Sequence, residues 1–271
     1  VKVNPGTRIG SIEKQGKIFK LKIDDSQSFE VDRLVVACGG KAYPNLGSTG
    51  NLFPILEKLG HTIHPILPAL APILADMKPY HKLQGVRLDA QASLFEKGTI
   101  IGSTIGNLIF TEWGLNGPAV MDLSHLVSAH PHGELQLELN LIFNCKEELR
   151  ALISERSTSS IPLRVMLGSV LPPKVSPVVL GIAGLPVDIL LKNTNPDQLE
   201  EVFHLLTHLP FRVKGVRGFE YCQVSSGGVA LNEVDALSMQ SQVVPDLFFA
   251  GEVLDVTGPC GGYNLQFAFS T

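Results

Sequence analysis

Alternating hydrophobic and polar residues at the start of the chain predict β-structure. Residues 7–24, TRIGSIEKQGKIFKLKID, form two alternating runs around the turn KQGK, which is typical of a hairpin. A short third run, SFEVD, follows, and then the apolar residues LVVA at 34–37. Because no polar residue interrupts LVVA, we expect a strand that is covered on both faces, as in a parallel α/β sheet.

The next segment predicts a helix. Residues 47–61, GSTGNLFPILEKLGH, begin with small residues that favour a helix start, and Gly60 is a good helix terminator. Pro54 lies in the early turns, so the exact start of the helix is not defined by the pattern. A strand followed by a helix is the repeating unit of an α/β fold.

The middle of the chain has a different pattern. Prolines interrupt residues 65–79, residues 83–143 alternate like antiparallel strands, and residues 145–210 are mostly helical, with one helix starting near Pro196. The α/β pattern returns at about residue 222. We therefore predict a first domain in two parts and a domain inserted between them, with these boundaries: 1–66 and 222–271 for the first domain, 67–221 for the inserted domain, mainly β over 67–144 and mainly helical over 145–210.

Composition and charge narrow the class of protein. The 271 residues suffice for one large domain or two ordinary ones, and 44% hydrophobic with 18% charged residues is usual for a globular protein. The net charge of −4 does not favour nucleic acid. No apolar run reaches the roughly 18–20 residues of a membrane span. Four scattered cysteines without a C-x-x-C pair predict reduced thiols in a cytoplasmic protein.

Two strand ends resemble each other: LVVACGG at 34–40 and LFFAGE at 247–252. In open α/β sheets, ligands bind beyond the carboxyl ends of the strands, and glycine there lets a ligand touch the backbone. The alternative is that these glycines only form turns. Glu252 could accept hydrogen bonds from ribose or ribitol hydroxyls, or it could be a solvated loop carboxylate.

The segment GPCGGYNLQFAF at 258–269 favours a ligand site. Gly261 and Gly262 precede a helical stretch, so backbone N–H groups and the positive end of a helix dipole would face a surface without side chains. Such a site binds phosphate or another delocalised anion. A flavin ring is one candidate, because its N1/C2=O edge gains negative charge on reduction.

Four segments together resemble a known family: VVACGGKAYPNLGSTGN, FTEWGLNGPAVMDLS, SSGGVALNEVD and LFFAGEVLDVTGPCGGYNLQFAFST. The chain resembles bacterial FAD-dependent flavoproteins, the NAD(P)/FAD-dependent oxidoreductases of the aminoacetone oxidase and bile-acid delta-reductase type. The resemblance implies an α/β fold: a partial glutathione-reductase-type FAD/NAD(P)-binding domain, interrupted by an inserted domain with a β-barrel-like part and a helical part.

The resemblance also implies which residues lie near FAD. Two departures accompany it: Cys38 stands where the family usually has threonine, and NLFP at 51–54 replaces the usual Asp-Gly-Tyr. The implied cofactor-binding residues are Ala37, Cys38, Gly39, Gly40, Gly227, Gly228, Gly251, Glu252, Gly261, Gly262, Tyr263, Asn264, Leu265 and Gln266.

One expected motif is absent from the sequence. A FAD domain of this type opens with a strand, G-x-G-x-x-G and a helix, and no G-x-G-x-x-G occurs here. We therefore expect the chain to be a fragment that lacks the N-terminal G-x-G-x-x-G unit and the C-terminal end. His204 and His208 are spaced for metal binding, but without a third ligand we interpret them as surface or interface histidines, and no metal is predicted.

These observations lead to a functional prediction with two alternatives. The parent protein is predicted to be a FAD-dependent oxidoreductase that moves hydride between flavin and a small organic substrate, with NAD(P)H left open as co-substrate. One alternative is a non-catalytic ligand- or partner-binding module with a vestigial or incomplete flavin site. The other is an α/β protein that uses the glycine loop for nucleotide phosphate. The sequence singles out no catalytic acid or base.

Overall fold

The secondary structure is that of a computed structural model, which describes residues 2–23 and 27–271. The strands are β1 (Ser11–Gln15), β2 (Ile18–Lys22), β3 (Ser28–Val31), β4 (Leu34–Val36), β5 (Ile63–Ala69), β6 (Ile73–Ala75), β7 (Arg87–Glu96), β8 (Thr99–Phe110), β9 (Gly114–Asn116), β10 (Leu135–Asn140), β11 (Leu209–Val216), β12 (Val224–Val229) and β13 (Leu247–Phe249). The helices are α1 (Phe53–Lys58), α2 (Pro118–Met121), α3 (Ser124–Ala129), α4 (Lys146–Glu155), α5 (Leu163–Leu167), α6 (Val175–Ile182), α7 (Pro196–Thr207) and α8 (Tyr263–Ser270).

The chain divides into two compact units, each with its own hydrophobic core. The first unit comprises the described residues up to Ala69 together with Gly218–Thr271, and the second comprises Leu70–Arg217. Separate cores are the mark of separate domains, because each one buries apolar surface independently. The architecture is mixed α/β, and the second unit contains a closed barrel. The inserted-domain boundaries at 66/67 and 221/222 stay a prediction.

Three small sheets build the first unit. Strands β1, β2 and β3 form an antiparallel sheet, and the predicted hairpin turns at Gly16, whose φ is 61°. The last residue predicted for that hairpin, Asp24, lies outside the described residues. Strand β4 pairs in parallel with β13, and β5 pairs in antiparallel fashion with β12. The parallel pair places the ends of β4 and β13 side by side.

The expectation that LVVA is covered on both faces is wrong. Strand β4 spans only Leu34–Val36, with Val36 3% exposed and Val35 60% exposed. Successive side chains of a strand point to opposite faces, so Val36 packs into the core while Val35 faces away from it. An apolar run therefore marks the strand here without showing that both of its faces are buried.

The predicted helix at 47–61 is much shorter in the structure. Helix α1 covers only Phe53–Lys58, because Gly47 and Gly50 have φ values of 106° and 71°, which no α-helix contains. Pro54 lies in its first turn, where its missing N–H costs nothing. Gly60 follows the helix with φ of 102°, in agreement with its predicted role as terminator.

The barrel of the second unit has the strand order β10-β11-β6-β9-β8-β7. Its strands follow the alternation seen in the sequence: in β10, Leu135, Leu137 and Leu139 are buried while the residues between them are more exposed. The predicted β region at 83–143 supplies β7, β8, β9 and β10. It also contains the short helices α2 and α3, which the strand pattern did not predict.

One barrel strand was missed by the sequence prediction. Strand β11 begins at Leu209, where the mainly helical part was expected to end, whereas β6 lies inside the predicted mainly β part, in its proline-interrupted segment. In β11, Leu209 and Phe211 are buried while Pro210 and Arg212 are exposed, so an alternating signal was present over a few residues. Strand β6 has only three residues and depends on its barrel partners for stability.

A buried histidine ties together distant segments of the first unit. His61 is 2% exposed, and its Nδ1 lies 3.0 Å from Glu233 Oε2 while its Nε2 lies 3.0 Å from Ser241 Oγ. Ser241 Oγ also accepts hydrogen bonds from the N–H groups of Val243 and Val244. Because both oxygen lone pairs are then used, the hydroxyl donates to Nε2, and Nδ1–H donates to Glu233.

The Glu233 carboxylate predicts a loss of stability in acid. Burial raises the pKa of Glu233, but hydrogen bonds from Thr62 and His61 outweigh burial and leave that pKa below its ordinary value of 4.5. A pKa lowered by folding stabilises the protein above the unfolded-state value, and this stabilisation disappears as the pH falls through the folded-state value. The free energy of unfolding of the first unit should therefore fall below about pH 4.5.

Denaturant unfolding between pH 3 and pH 7 checks this prediction, with Glu233→Gln as the test variant and Glu57→Gln, at an exposed position of α1, as the control. Glu233→Gln should show a shallower loss of stability in acid than the parent, because the titrating group has been removed. Identical acid profiles for Glu233→Gln and Glu57→Gln would contradict the assignment.

Candidate functional site in the first unit

Three chain segments meet at the carboxyl ends of β4 and β13. Residues Leu34–Val36 pair in register with Leu247–Phe249, and Ala250 N–H continues the ladder by donating to the carbonyl of Val36 at 3.0 Å. The segments that follow, 37–40 and 251–252, therefore emerge together. Ser225 of β12 joins them. These are the two strand ends that look alike in sequence, and the fold makes them neighbours.

Glu252 connects these segments through one carboxylate oxygen. Its Oε1 accepts hydrogen bonds from Ser225 N–H at 2.7 Å and from Ser225 Oγ–H at 2.9 Å. Ser225 Oγ in turn accepts from Lys41 N–H at 2.9 Å. Glu252 is therefore more than a solvated loop carboxylate. Its second oxygen, Oε2, takes part in neither of these bonds.

Gly40 makes this convergence sterically feasible. A Cβ atom at position 40 would lie 2.0 Å from Ser225 Oγ and 2.5 Å from Glu252 Oε1, both far inside van der Waals contact. The carbonyl of Gly40 accepts from Ser48 Oγ–H at 2.9 Å, which fixes the turn. Position 40 therefore needs glycine because of space rather than because of its φ angle.

The paired glycines of β12 let two other backbone segments approach that strand closely. Gly227 has φ of 83°, and a Cβ there would lie 2.1 Å from the carbonyl oxygen of Pro65. Gly228 has φ of 131°, and a Cβ there would lie 2.5 Å from the carbonyl oxygen of Val253. The two glycines thus let β5 pack on one side of β12 and the chain after Glu252 on the other.

Asp255 and His64 lie beside these glycines, and the sequence analysis missed their pairing. Asp255 Oδ1 accepts from Gly227 N–H at 3.0 Å, and Asp255 Oδ2 lies 2.6 Å from His64 Nδ1. The two residues are 191 positions apart, so no local pattern links them. The one sequence signal was an acidic residue between Glu252 and the glycine loop.

The glycine loop closes onto the start of α8 through Asn264. The Asn264 side chain accepts from Gly258 N–H at 2.8 Å and donates to the Gly258 carbonyl at 2.9 Å. Gly262 precedes the helix with φ of 89°, and no side chain caps its first N–H groups. Because Gly261 also has positive φ, 124°, and the loop is held by Asn264, backbone N–H groups are presented at the helix start.

The other residues of α8 that were predicted to bind the cofactor do not contact the glycine loop in the way that Asn264 does. Tyr263 and Leu265 are 62% and 68% exposed, and no residue of α8 is buried. Gln266 Nε2 donates to Ser270 Oγ at 2.9 Å within the helix. Gly251, with φ of 73°, donates its N–H to Thr271 Oγ1 at 2.8 Å, which ties the end of the helix to the end of β13.

A cavity of about 410 Å³ adjoins the segment that follows β4. Cys38 lies in its wall together with polar groups that include Arg8, Thr49 and Asn51. Although part of Cys38 is exposed, burial raises the pKa of its thiol to about 11. The thiol is therefore protonated at neutral pH, and Cys38 is a poor nucleophile. Ala37 and Gly39 flank it on the same segment.

These residues fit a flavin nucleotide. Thr257 Oγ1 is buried, and within the described residues no protein atom makes a hydrogen bond to it. A buried hydroxyl without a partner is costly and indicates a missing one. It lies on the loop between Glu252 and α8. Together with the uncapped N–H groups at Gly262 and the second oxygen of Glu252, it offers the donors and acceptors that a flavin's polar edge and ribityl hydroxyls need.

The described residues contain neither a cluster of metal-ligating side chains nor a membrane-spanning helix. Within residues 2–23 and 27–271, no group of three or more His, Cys, Asp and Glu side chains could hold a metal ion. The rings of His204 and His208 stack with centroids 4.9 Å apart. In the same part of the chain, no helix is long and apolar enough to cross a bilayer.

Comparison with known proteins identifies the class as a Rossmann-type, FAD-binding flavoprotein. All residues, 1–271, match the family described as HI0933-like protein Rossmann domain, and the chain belongs to that family. The resemblance found in the sequence is thereby confirmed. The glutathione-reductase-type detail of the fold stays a prediction.

Curated relatives carry two kinds of name. The chain is 29% identical over 276 residues to the 3-dehydro-bile acid delta(4,6)-reductase of Clostridium scindens, which covers 100% of this chain and 67% of that protein. It is 32% identical over 265 residues to the ribosomal RNA dihydrouridine synthase of Escherichia coli, covering 96% of this chain and 64% of that protein. The protein of the same name from Haemophilus influenzae is 30% identical over 270 residues, covering 98% and 64%. The chain thus spans about two thirds of these relatives.

The contacts of Gly40 predict that even one methyl group disrupts the site. Gly40→Ala should reduce the free energy of unfolding by about 1–3 kcal/mol, the usual cost of overpacking, and should weaken FAD binding. Gly10→Ala is the matched control in the same unit, because a Cβ there meets its nearest atoms at an ordinary 3.6 Å. Urea unfolding and FAD titration of both variants check this. Equal stability and equal FAD affinity in the Gly40→Ala and Gly10→Ala variants would contradict the close approach at Gly40.

Proposed function

We propose that the protein is a FAD-dependent oxidoreductase that reduces a carbon–carbon double bond conjugated to a carbonyl group. The observation that carries this proposal is the convergence of Gly40, Ser225 and Glu252 at the ends of β4 and β13, in a chain of the HI0933-like family. When bound in its reduced form, the flavin supplies a hydride from N5.

The chain's own residues have distinct roles toward the cofactor. Glu252 Oε2 would accept hydrogen bonds from ribityl or ribose hydroxyls, while Oε1 would remain on Ser225. The N–H groups at the start of α8 would stabilise negative charge on the reduced ring. The Thr257 hydroxyl would bind a polar group of the cofactor, and the cavity beside Cys38 would admit part of the nucleotide.

The names of the relatives support the substrate class. One is a bile-acid delta-reductase and two are dihydrouridine synthases. Dihydrouridine differs from uridine by two hydrogens across a C=C bond next to a carbonyl, and a 3-dehydro-delta(4) steroid contains the same conjugated unit. The shared chemistry is addition of hydride and proton to an activated alkene. NAD(P)H is the proposed source of electrons. We also propose a cytoplasmic location, because scattered cysteines without a C-x-x-C pair are typical of reduced thiols in that compartment.

Absorbance spectroscopy under anaerobic conditions tests this function. The holoprotein should show flavin bands that NAD(P)H bleaches and that return when 2-cyclohexen-1-one or a uridine-containing oligonucleotide is added. Bleaching by NAD(P)H that neither probe substrate reverses would indicate an oxidoreductase that acts on another class of substrate. A chain that binds no flavin would favour the non-catalytic binding module, and tight binding of nucleotides without flavin would favour the nucleotide-phosphate alternative.

A conservative variant tests the role of Glu252. Glu252→Gln keeps an acceptor for Ser225 but loses the charged second oxygen, so the dissociation constant of FAD should rise about 10- to 100-fold. Glu57→Gln makes the same change of charge at an exposed position of α1 and should leave FAD affinity unchanged. An affinity for FAD that is the same in both variants would remove Glu252 from the cofactor site.

A further inference from the structure

His64 and Asp255 form a hydrogen-bonded pair on the surface of the first unit, beside the candidate flavin site. Their closest atoms, Nδ1 and Oδ2, are 2.6 Å apart, and the side chains are 49% and 31% exposed. A histidine that is half exposed can reach both a bound molecule and solvent. Neither residue was predicted from the sequence to belong to the site. Neither takes part in the cofactor contacts proposed for Glu252, Thr257 and the start of α8.

Asp255 is held in place from its other side. Its Oδ1 accepts from Gly227 N–H at 3.0 Å. Gly227 lies at the irregularity in the pairing of β12 with β5, between Ser226 and Gly228. The carboxylate thus bridges β12 and β5, because His64 belongs to β5. Its position depends on backbone rather than on a mobile side chain.

This arrangement fixes the orientation of the imidazole ring. A carboxylate only accepts hydrogen bonds, so the proton between the two groups resides on His64 Nδ1. The opposite nitrogen, Nε2, therefore points away from Asp255. A base or acid whose ring is oriented by a third group is the arrangement that enzymes use for proton transfer.

The pair also lies on the segment that carries the cofactor contacts. Asp255 is three residues after Glu252 and two before Thr257. Gly258, one residue further, is clamped by Asn264 at the start of α8. Any movement of this loop toward a ligand therefore carries Asp255, and His64 is attached to the same carboxylate.

The proposed reaction requires a proton donor that the cofactor contacts do not provide. Addition across a conjugated alkene delivers hydride to the β-carbon and a proton to the α-carbon. The Glu252 carboxylate is hydrogen-bonded to Ser225. Burial raises the pKa of the Cys38 thiol to about 11, so this thiol is a poor proton donor at neutral pH. His64, in contrast, is oriented by Asp255 and half exposed, so the geometry of this region favours it as the proton donor.

We propose that His64 donates the proton from Nε2 to the α-carbon of the substrate, and that Asp255 is the residue that positions it. This inference rests on the proposed function, which supplies the hydride from reduced flavin to the β-carbon. The substrate gains two hydrogens and the flavin is oxidised by two electrons. His64 is left neutral, with its remaining proton on Nδ1 in the hydrogen bond to Asp255, and Nε2 recovers a proton from solvent.

The charged neighbours of His64 are few. Strand β12, which pairs with β5, carries no titratable side chain between Val224 and Val229. Helix α1, which also packs on β5, carries Glu57 and Lys58. At the start of β5, Glu233 accepts from Thr62 N–H and His61. Within the described residues, Asp255 is the charged group that makes direct contact with His64.

The orientation is tested without flavin by nitrogen-15 NMR of the histidine rings in the isolated chain. The neutral His64 ring should carry its proton on Nδ1. In Asp255→Asn, the introduced amide can still accept from Gly227, but its NH₂ group donates toward His64, so the proton should move to Nε2. The same protonated nitrogen in both proteins would overturn the positioning role of Asp255.

The proton transfer is tested by stopped-flow kinetics of the holoenzyme with 2-cyclohexen-1-one as probe. His64→Gln should slow reoxidation of reduced flavin by the enone at least about 100-fold, the usual contribution of general acid catalysis. Reduction of the flavin by NAD(P)H should stay within about twofold, because that step needs no proton at the α-carbon. His132→Gln, at an exposed position of the second unit, is the matched control and should leave both rates unchanged.

The experiment distinguishes a failure of the proposed substrate class from a failure of the proton-donor assignment to His64. A wild-type holoenzyme that does not reduce the enone would overturn the proposed substrate class, and the donor role of His64 in that reaction would fall with it. Wild-type activity with an equally fast His64→Gln variant would overturn only the donor assignment. Slow reoxidation in Tyr263→Phe combined with a normal rate in His64→Gln would assign the proton to the phenol instead.

Discussion

The candidate site depends on backbone that approaches side chains more closely than any Cβ would allow. At Gly40 a methyl group would overlap Ser225 Oγ and Glu252 Oε1, so the hydrogen bonds that join the ends of β4 and β13 to β12 exist only because position 40 has no side chain. The parallel pairing of β4 with β13 brings the segments together, and glycine lets them touch. The convergence of charge and polar groups at Glu252 follows from that contact.

The same constraint recurs along β12 and organises the loop beyond it. Gly227 and Gly228 admit the backbones of Pro65 and Val253, and this contact places Asp255 against the Gly227 N–H group. Three roles therefore arise from one short strand: support of Glu252, placement of the loop that carries Thr257, and orientation of His64. The barrel of the second unit has its own core and contributes to none of these contacts.

The sequence predicts strand ends better than it predicts side-chain partners. Glycines after apolar strands directed attention to 37–40 and 251–252, two strand ends that the fold brings together, because the close approach of backbone leaves a visible mark in composition. The partners of Glu252 and Asp255 lie 27 and 191 residues away, and pairing at such distances depends on the tertiary fold. The short helix α1 and the strand β11 were misjudged because left-handed glycines and barrel neighbours override local periodicity.

The central claim is that FAD binds where the glycine-bearing strand ends meet in the first unit. Backbone amide NMR during a titration with FAD tests it most directly. We expect the N–H signals of Gly39, Gly40, Gly251 and Gly262 to shift on addition of FAD, while those of Gly102, Gly106 and Gly181 in the second unit do not. Shifts confined to the barrel unit, or uniformly absent from these strand ends while FAD binds, would contradict it.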